Sequence, residues 1–213
     1  MNLDEHGAAH LPGAAAPFLD GLECVIAGVP QDRAGVRLYG IGGLADLLAP
    51  DALGALAPGR MPVRALLFDK SDATNWALGW HQDRTIAVRE RAEVAGFGPW
   101  SVKAGMAHVE PPFSIIERML TLRVHFDAVD AENAPLLIAP GSHRLGRIPE
   151  PEIEGIVARS GVRECLAGRG DAWLYATPIL HASAAAAAPR RRRVLQVDFF
   201  AGGLPGPLAW LGV

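Results

Sequence analysis

Hydrophobic residues fall in short runs along most of this chain, and glycine and proline separate the runs. The first clear run covers residues 63–68, and turn residues follow at 96–99, 111–112, 140–141 and 168–170. Short apolar runs bounded by turn residues are typical of strands, and many such strands at regular spacing are typical of a β-sandwich or barrel. The pattern therefore predicts a mainly β protein whose core lies between about residues 60 and 200.

Two segments have helical character and would flank that core. Residues 43–56 predict a helix interrupted near Pro50, and residues 149–159 predict an internal helix outside the sheets. Residues 1–17 are rich in Ala, Gly and Pro, which predicts a loosely ordered lead-in. A chain of 213 residues can bury one good core, so we expect a single domain over residues 1–213.

Charge and composition argue against several classes of protein. A net charge of −3 and a pI near 6.2 give no basic surface for nucleic acid, so no nucleic-acid partner is expected. No apolar run approaches the roughly 20 residues that span a bilayer, and the first residues carry acids where a secretory signal carries positive charge. We therefore expect a cytoplasmic protein without a membrane partner. The two cysteines are too few for a disulfide framework.

One group of polar residues points to metal chemistry. His81 and Asp83 are two positions apart in an extended segment, so their side chains would point to the same side of a strand while Gln82 points away. A third ligand must come from elsewhere, and His181 ends an apolar stretch, residues 172–180, that predicts a buried strand. Two imidazoles and one carboxylate on one face of a metal ion are typical of non-haem Fe(II) oxygenases. His-x-Asp alone is weak evidence, because polar residues on a surface strand would produce the same pattern.

The surroundings of these three residues carry a resemblance. The strings FDKSDATNWALGWHQD, RVHFDAVDAENAPLLIAPGSHRLG and GRGDAWLYATPILHAS, followed by RRRRVLQVDFF, occur in this order between about residues 60 and 200. The chain thus resembles the phytanoyl-CoA dioxygenase family of 2-oxoglutarate-dependent oxygenases. The resemblance implies a double-stranded β-helix (a cupin-like jelly roll) with flanking helices. It also implies Fe(II) held by His81, Asp83 and His181, with 2-oxoglutarate and O2 as cosubstrates.

The family also implies how the cosubstrate is held. An arginine about eleven positions after the distal histidine pairs with the far carboxylate of 2-oxoglutarate, and here that position is Arg192, in the run 190–193. Strand parity does not decide between Arg192 and Arg193, so Arg193 stays as the second candidate. Ser183 matches a family serine that touches the cosubstrate. The chain departs from the family at Ala134, where a glycine is usual, so that a turn there must avoid positive φ or accept strain.

Further residues are assigned by position alone. Hydrogen bonds to the cosubstrate could come from Asn75 or Lys70, and from Gln82 only indirectly, since its side chain points away from the metal. The substrate pocket is expected to include Arg123, Trp100, Trp80 and His125. For each of these, ordinary strand polarity or core packing explains the residue as well.

These residues predict a dioxygenase that hydroxylates an unactivated C–H bond of a small or medium metabolite and releases succinate and CO2. The carboxylate of Asp83 favours hydroxylation, because related halogenases have a small residue there to admit chloride. Two other classes stay open: a cupin-type metalloenzyme that works without 2-oxoglutarate, and a jelly-roll protein that binds without catalysis. The sequence does not indicate the substrate or the oligomeric state.

Overall fold

A computed structural model of the chain describes residues 1–30, 33 and 35–213. In these residues the chain forms thirteen strands, five short α-helices and five 3₁₀ turns. The strands are β1 Ala8–Leu11, β2 Val36–Leu38, β3 Met61–Lys70, β4 Leu78–His81, β5 Ile86–Val88, β6 Trp100–Lys103, β7 Met106–Val109, β8 Leu120–His125, β9 Leu136–Ile138, β10 Arg163–Cys165, β11 Ala172–Ala176, β12 His181–Ser183 and β13 Arg192–Phe200. The α-helices are α1 Leu3–His6, α2 Leu19–Ile26, α3 Leu44–Leu47, α4 Phe113–Ile116 and α5 Ile153–Ser160, and the 3₁₀ turns are Ala16–Phe18, Leu53–Leu56, Asp72–Thr74, Ser142–Leu145 and Glu150–Glu152.

The strands form three antiparallel sheets. The large sheet has the order β1-β11-β8-β13-β3-β2, and the smaller sheet facing it has the order β10-β9-β12-β4. A third sheet of β5, β7 and β6 extends the structure at one end. Together they form the predicted double-stranded β-helix, or jelly roll, with helices at its sides.

The large sheet has an apolar outer face and a polar inner face, because side chains alternate along each strand. In β13, Leu195, Val197 and Phe199 join a hydrophobic cluster with residues of α2 and α3. The alternate residues of β13 include Arg192 and Gln196, which line a cavity between the two sheets. Strand β3 behaves in the same way: Ala65 and Leu67 face the helices, and the inner positions are Arg64, Leu66, Phe68 and Lys70.

Two smaller clusters hold the other layers in place. Helix α5 packs its apolar residues against Ile148, Leu180 and Trp80, outside the smaller sheet. The third sheet packs against Val63 and Phe200, at the end of the large sheet. Among the described residues no helix has the length and hydrophobicity needed to cross a membrane.

The structure corrects two of the expectations from sequence. Residues 1–17 are not a loose lead-in, because β1 pairs with β11 and the side chains of Ala8 and Ala15 are completely buried. The apolar stretch 172–180 is not one strand: β11 ends at Ala176, and a turn places His181 at the start of β12, in the other sheet. The helical predictions for residues 43–56 and 149–159 are confirmed, each in two parts.

Candidate metal centre

Three side chains from the smaller sheet meet at one point. His81 ends β4 and is paired with His181 at the start of β12, and Asp83 follows two residues after β4. The ring centroids of the two histidines are 4.3 Å apart. One ligand atom from each of the three residues lies within 4.8 Å of the others. One metal ion with bonds of about 2 Å could bind all three after small side-chain adjustments.

Both histidines present the same nitrogen. Nδ1 of His81 donates to the carbonyl oxygen of Gly79 (2.8 Å), and Nδ1 of His181 donates to that of Ile179 (2.9 Å). A hydrogen bond from Nδ1 fixes the tautomer and leaves the Nε2 lone pair for a metal. Burial, together with the charge of His81, lowers the pKa of His181 to about 4. His181 is therefore neutral at physiological pH, as a metal ligand must be.

Asp83 supplies a half-buried carboxylate with one buried oxygen that needs a partner. Its Oδ2 is buried without a hydrogen bond, and the nearest cation is Nη2 of Arg64 at 3.6 Å. Burial raises the pKa of Asp83, but the charges of Arg64, His181 and His81 outweigh this and hold the pKa below its ordinary value. A partly buried carboxylate beside two imidazole nitrogens fits a divalent metal ion, which would satisfy the unpaired oxygen.

The three residues open into a cavity of about 240 Å³ between the two sheets. One wall is the inner face of the large sheet, and the other comes from β4, β12 and the start of β9. Phe68, Trp76, Leu78 and Leu136 give the wall an apolar part. Among the described lining residues, Asp83 is the one carboxylate, and six residues are basic: Arg37, Arg64, Lys70, Lys103, Arg123 and Arg192. The cavity is therefore built to accept anions beside a metal.

Arg192 reaches this cavity and has no carboxylate partner among the described residues. Its side chain is buried, Nη1 donates to the carbonyl oxygen of Ala134, and Nε has no partner. Burial and the charge of Arg123 lower its pKa to about 9, so it remains charged at neutral pH. Ala134 adopts a positive φ of 50°, and the strain anticipated for this position is therefore present.

The three neighbouring arginines have other partners. Arg190 pairs with Asp130, Arg191 with Asp69, and Arg193 with both Asp127 (2.7 Å) and Glu23 (3.1 Å). None of the three lines the cavity. The alternative candidate, Arg193, therefore lies away from the metal residues, and parity places Arg192 on the inner face.

Lys70 and Ser183 lie next to Arg192 at one end of the cavity. Lys70 is the register partner of Arg192, and its Nζ donates to Ser183 Oγ (3.1 Å) and to the carbonyl oxygen of Trp76 (2.7 Å). Burial and the charges of Arg192 and Arg123 lower the pKa of Lys70 to about 8. Arg123 also lines the cavity, where its Nη1 donates to Gln196 Oε1 (2.8 Å) and its Nε is unpaired. Three basic residues thus gather at one end of the cavity, and no acid acts on Lys70 or Arg192 in the part of the chain that the structure describes.

Two residues assigned to cosubstrate binding do not line the cavity. Gln82 is buried and points away from it: its Nε2 donates to the carbonyls of Gly146 and Pro178, and its Oε1 accepts from Ile148 N. Asn75 forms two hydrogen bonds with the backbone of Ala186. Both side chains bind backbone groups and so position the loops beside the metal residues.

Three of the four tentative pocket residues also lie elsewhere. Trp80 packs with the α5 cluster, and Trp100 packs with the third sheet. His125 is buried and does not line the cavity, and burial with the nearby charges of Arg123 and Arg192 lowers its pKa to about 3. Arg123 is the one tentative pocket residue that the cavity includes.

Sequence reasoning missed the basic residues on the metal side of the cavity. Arg64 forms a buried ion pair with Asp198 (Nε to Oδ2, 2.5 Å) and donates to the carbonyl oxygen of Thr85 (3.2 Å). Arg64 and Asp198 are charged residues inside otherwise apolar strands, which is a signal the sequence did offer. Arg37 and Lys103 do not show this signal in the sequence, and only the folded structure shows that they line the cavity.

A family model agrees with this geometry. The model of the family described as phytanoyl-CoA dioxygenase (PhyH) matches residues 44–194, most of the chain. The chain belongs to this family. The resemblance seen in the sequence is therefore confirmed, and the protein is an oxygenase that depends on Fe(II) and 2-oxoglutarate and uses O2.

Solved structures share the fold at low sequence identity. EctD from S. alaskensis in its apoform is 15% identical, with a TM-score of 0.65 over 99% of this chain and 78% of that one. SnoN, an α-ketoglutarate-dependent epimerase from nogalamycin biosynthesis, is 16% identical, with a TM-score of 0.63 over 94% and 79%. HygX from Streptomyces hygroscopicus, solved with nickel, 2-oxoglutarate and hygromycin B, is 11% identical, with a TM-score of 0.61 over 93% and 84%. A search of curated proteins found no match.

Proposed function

We propose that this protein hydroxylates an unactivated C–H bond of a small or medium metabolite, with His81, Asp83 and His181 as the iron ligands. The observation that carries the proposal is the meeting of these three side chains at the wall of a cavity with an uncompensated basic end. When bound, Fe(II) would activate O2, which supplies the oxidising power, and 2-oxoglutarate would give up two electrons as it is converted to succinate and CO2. The residues of the chain bind, orient and shield these reactants.

Each residue of the basic end has a distinct part in holding the cosubstrate. The Nε edge of Arg192 is free for the far carboxylate of 2-oxoglutarate, and a guanidinium binds a carboxylate through two parallel hydrogen bonds. The hydroxyl of Ser183, held by Lys70, can donate to the same carboxylate. The ammonium of Lys70 adds charge without that fixed orientation. The keto acid end of 2-oxoglutarate, opposite that far carboxylate, would then point along the cavity towards the metal residues.

The carboxylate of Asp83 and the size of the cavity support hydroxylation of a small substrate. With a carboxylate in the third ligand position, no small residue leaves room for a halide beside the metal. The cavity of about 240 Å³ is just below the usual range of about 300–1,000 Å³ for ligand sites. It must hold 2-oxoglutarate as well, which favours a small substrate or a small reacting part. Solved neighbours include an epimerase, so the outcome of the oxidation needs its own test.

The first experiment is an anaerobic titration of the metal-free protein with Fe(II) and 2-oxoglutarate, followed by the weak visible charge-transfer band of the chelate. We expect a band that requires both additions and that is weakened or lost in Asp83→Ala, while the exposed control Asp51→Ala keeps it. Metal binding without a band would contradict the placement of the cosubstrate. A normal band in Asp83→Ala would contradict the ligand assignment.

The reaction outcome is tested with candidate substrates under ¹⁸O2. Hydroxylation predicts a product one oxygen atom heavier than the substrate, with label from O2 and with succinate formed in equal amount. A product of unchanged composition, formed with the same succinate yield, would indicate epimerisation and overturn the hydroxylation proposal.

A further inference from the structure

The basic residues of the cavity form two separate groups. Lys70, Arg123 and Arg192 influence one another electrostatically at one end, and we call them the cosubstrate cluster. Arg37, Arg64 and Lys103 do so at the other end, and we call them the second cluster. All six residues line the same cavity. The proposed function uses only the cosubstrate cluster.

Strand register separates Arg192 and Lys70 from Arg37. Arg192 is paired with Lys70 at the end of β3, whereas Arg37 is paired with Leu66, four residues earlier on the same strand. Four residues of a strand span about 13 Å. Arg123 lies in the same register row as Arg37 but three strands away from it in the sheet, and its charge acts on Arg192 and Lys70. The far carboxylate of one 2-oxoglutarate molecule therefore cannot serve both clusters.

Within the second cluster, only Arg64 has carboxylate partners among the described residues. Asp198 and Asp83 both lie within ion-pair distance of it, at 2.5 and 3.6 Å. Nζ of Lys103 donates to the hydroxyl of Thr85 (3.2 Å), which is neutral. Arg37 is half-buried, and its Nε is buried without any partner. Neither Arg37 nor Lys103 thus has a carboxylate within ion-pair distance among the described residues, and the charge of Asp83 raises the pKa of Lys103 by less than Arg37 and Arg64 lower it.

Lys103 is brought there by the hairpin between β6 and β7. The two residues at its tip, Ala104 and Gly105, both have positive φ, as a tight two-residue hairpin turn requires. On the same face of this hairpin lies His108, which is fully buried and has an unpaired Nε2. Burial lowers the pKa of Lys103 and that of His108, and the charges of Arg37 and Arg64 lower both further.

Such an arrangement is unfavourable without a ligand. Like charges close together repel, and a buried cation without a partner loses solvation that nothing replaces. When a metal takes up the charge of Asp83, the second cluster loses one of its two neighbouring carboxylates. An anionic group placed between Arg37 and Lys103 would satisfy both residues.

We propose that Arg37 and Lys103 bind an oxyanion, a carboxylate or a phosphate, that belongs to the primary substrate. The substrate class is therefore an anionic small molecule. It enters with its charged group on the side of the cavity opposite Arg192. This inference rests on the proposed function for the location of 2-oxoglutarate, and it adds the chemistry by which the second reactant is recognised.

The test uses the complete protein loaded anaerobically with Fe(II) and saturating 2-oxoglutarate, titrated by calorimetry with inorganic phosphate and, separately, with acetate. We expect saturable binding of at least one probe. Arg37→Met and Lys103→Met should each weaken that binding by tenfold or more while the affinity for 2-oxoglutarate changes by less than twofold. Arg91→Met removes an exposed arginine of the same region and should change neither affinity. The stronger probe tells whether the substrate is a phosphate ester or a carboxylic acid.

Three results would overturn the inference. In the first, the wild type binds neither probe, and in the second, the variants bind the probes as tightly as the wild type does. In the third, Arg37→Met loses much of its affinity for 2-oxoglutarate, which would show that the second cluster binds the cosubstrate. A wild type that binds no 2-oxoglutarate would instead contradict the proposed function. If Arg37→Met does not fold, Lys103→Met decides alone, because Lys103 ends a strand on a hairpin at the periphery.

Discussion

Removing Arg192 is the sharpest perturbation of the proposed cosubstrate site. Its Nη1 is used by the carbonyl oxygen of Ala134, and its Nε is buried without a partner. A carboxylate can therefore gain at least one charged hydrogen bond, and such a bond contributes about 1.5–3 kcal/mol. The corresponding loss in affinity is about 10- to 150-fold. We expect Arg192→Ala to raise the Kd for 2-oxoglutarate by this factor.

The assay is the anaerobic chelate titration, which requires no knowledge of the primary substrate. Arg193→Ala is the matched control, because this arginine lies next to Arg192 but pairs with Asp127 and Glu23 outside the cavity. Its affinity for 2-oxoglutarate should stay within twofold of the wild type. Arg192→Lys should fall between wild type and Arg192→Ala, since an ammonium keeps the charge but loses the planar fork.

The comparison can refute the reasoning in two ways. If Arg193→Ala weakens 2-oxoglutarate binding and Arg192→Ala does not, the parity assignment along β13 is wrong by one residue. If neither variant weakens it, the cosubstrate lies elsewhere in the cavity. Thermal unfolding of each variant separates these outcomes from misfolding, because Arg192→Ala also leaves the carbonyl of Ala134 without its donor.

Three further predictions concern stability. Asp198→Ala should lower the free energy of unfolding in urea by about 3 kcal/mol, because Arg64 then loses its closest buried partner; the exposed change Glu93→Ala should cost less than about 1 kcal/mol, and equal effects would contradict the role of burial. Lys70 has a folded pKa of about 8 against 10.5 in the unfolded chain, so the unfolded state binds more protons between these values and stability without ligands should rise with pH there. Lys70→Met should lack that rise, and parallel plots of unfolding free energy against pH for the wild type and the variant would refute this explanation. Ala134→Gly should raise the free energy of unfolding by about 0.5–1 kcal/mol, since glycine accepts the positive φ; a decrease would show that the strain is negligible.

The meeting of His81, Asp83 and His181 could be predicted because the spacing of the first two is local and the chemistry of the three is distinctive. His81 and Asp83 are two residues apart, and the string around His181 gave the third residue. Arg192 followed from its offset within the family pattern. For the fold, the alternation of short apolar runs was sufficient to indicate a β-sandwich class, and the motifs specified the jelly roll.

The errors have a common physical cause. Asn75 lies close in sequence to the candidate metal residues, but its exposed amide binds the backbone of Ala186. The buried amide of Gln82 points away from the cavity, as expected, and binds loop backbone. In the opposite sense, Arg37 and Lys103 are far from every motif, and they reach the cavity through the pairing of β2 with β3 and through the β6–β7 hairpin. Long-range pairing of this kind has no signature in the surrounding residues. Residues near the motifs in sequence were therefore assigned to the site too readily. Residues that only the fold brings to the cavity could not be identified from the sequence.

The inner face of the large sheet explains why stability and function are opposed in this protein. A sheet that used apolar residues at Arg64, Lys70, Arg123 and Arg192 would avoid burying four cations, and replacement of buried charges by apolar groups is often stabilising. The outer face, packed on α2 and α3, follows that rule and carries the hydrophobic core. The inner face does not follow this rule, because its positive charges are balanced only when ligands bind. Any ligand that binds the folded state alone stabilises it in proportion to the logarithm of its concentration over Kd. The hydrophobic outer face therefore stabilises the fold, while metal, cosubstrate and substrate balance the charges of the inner face.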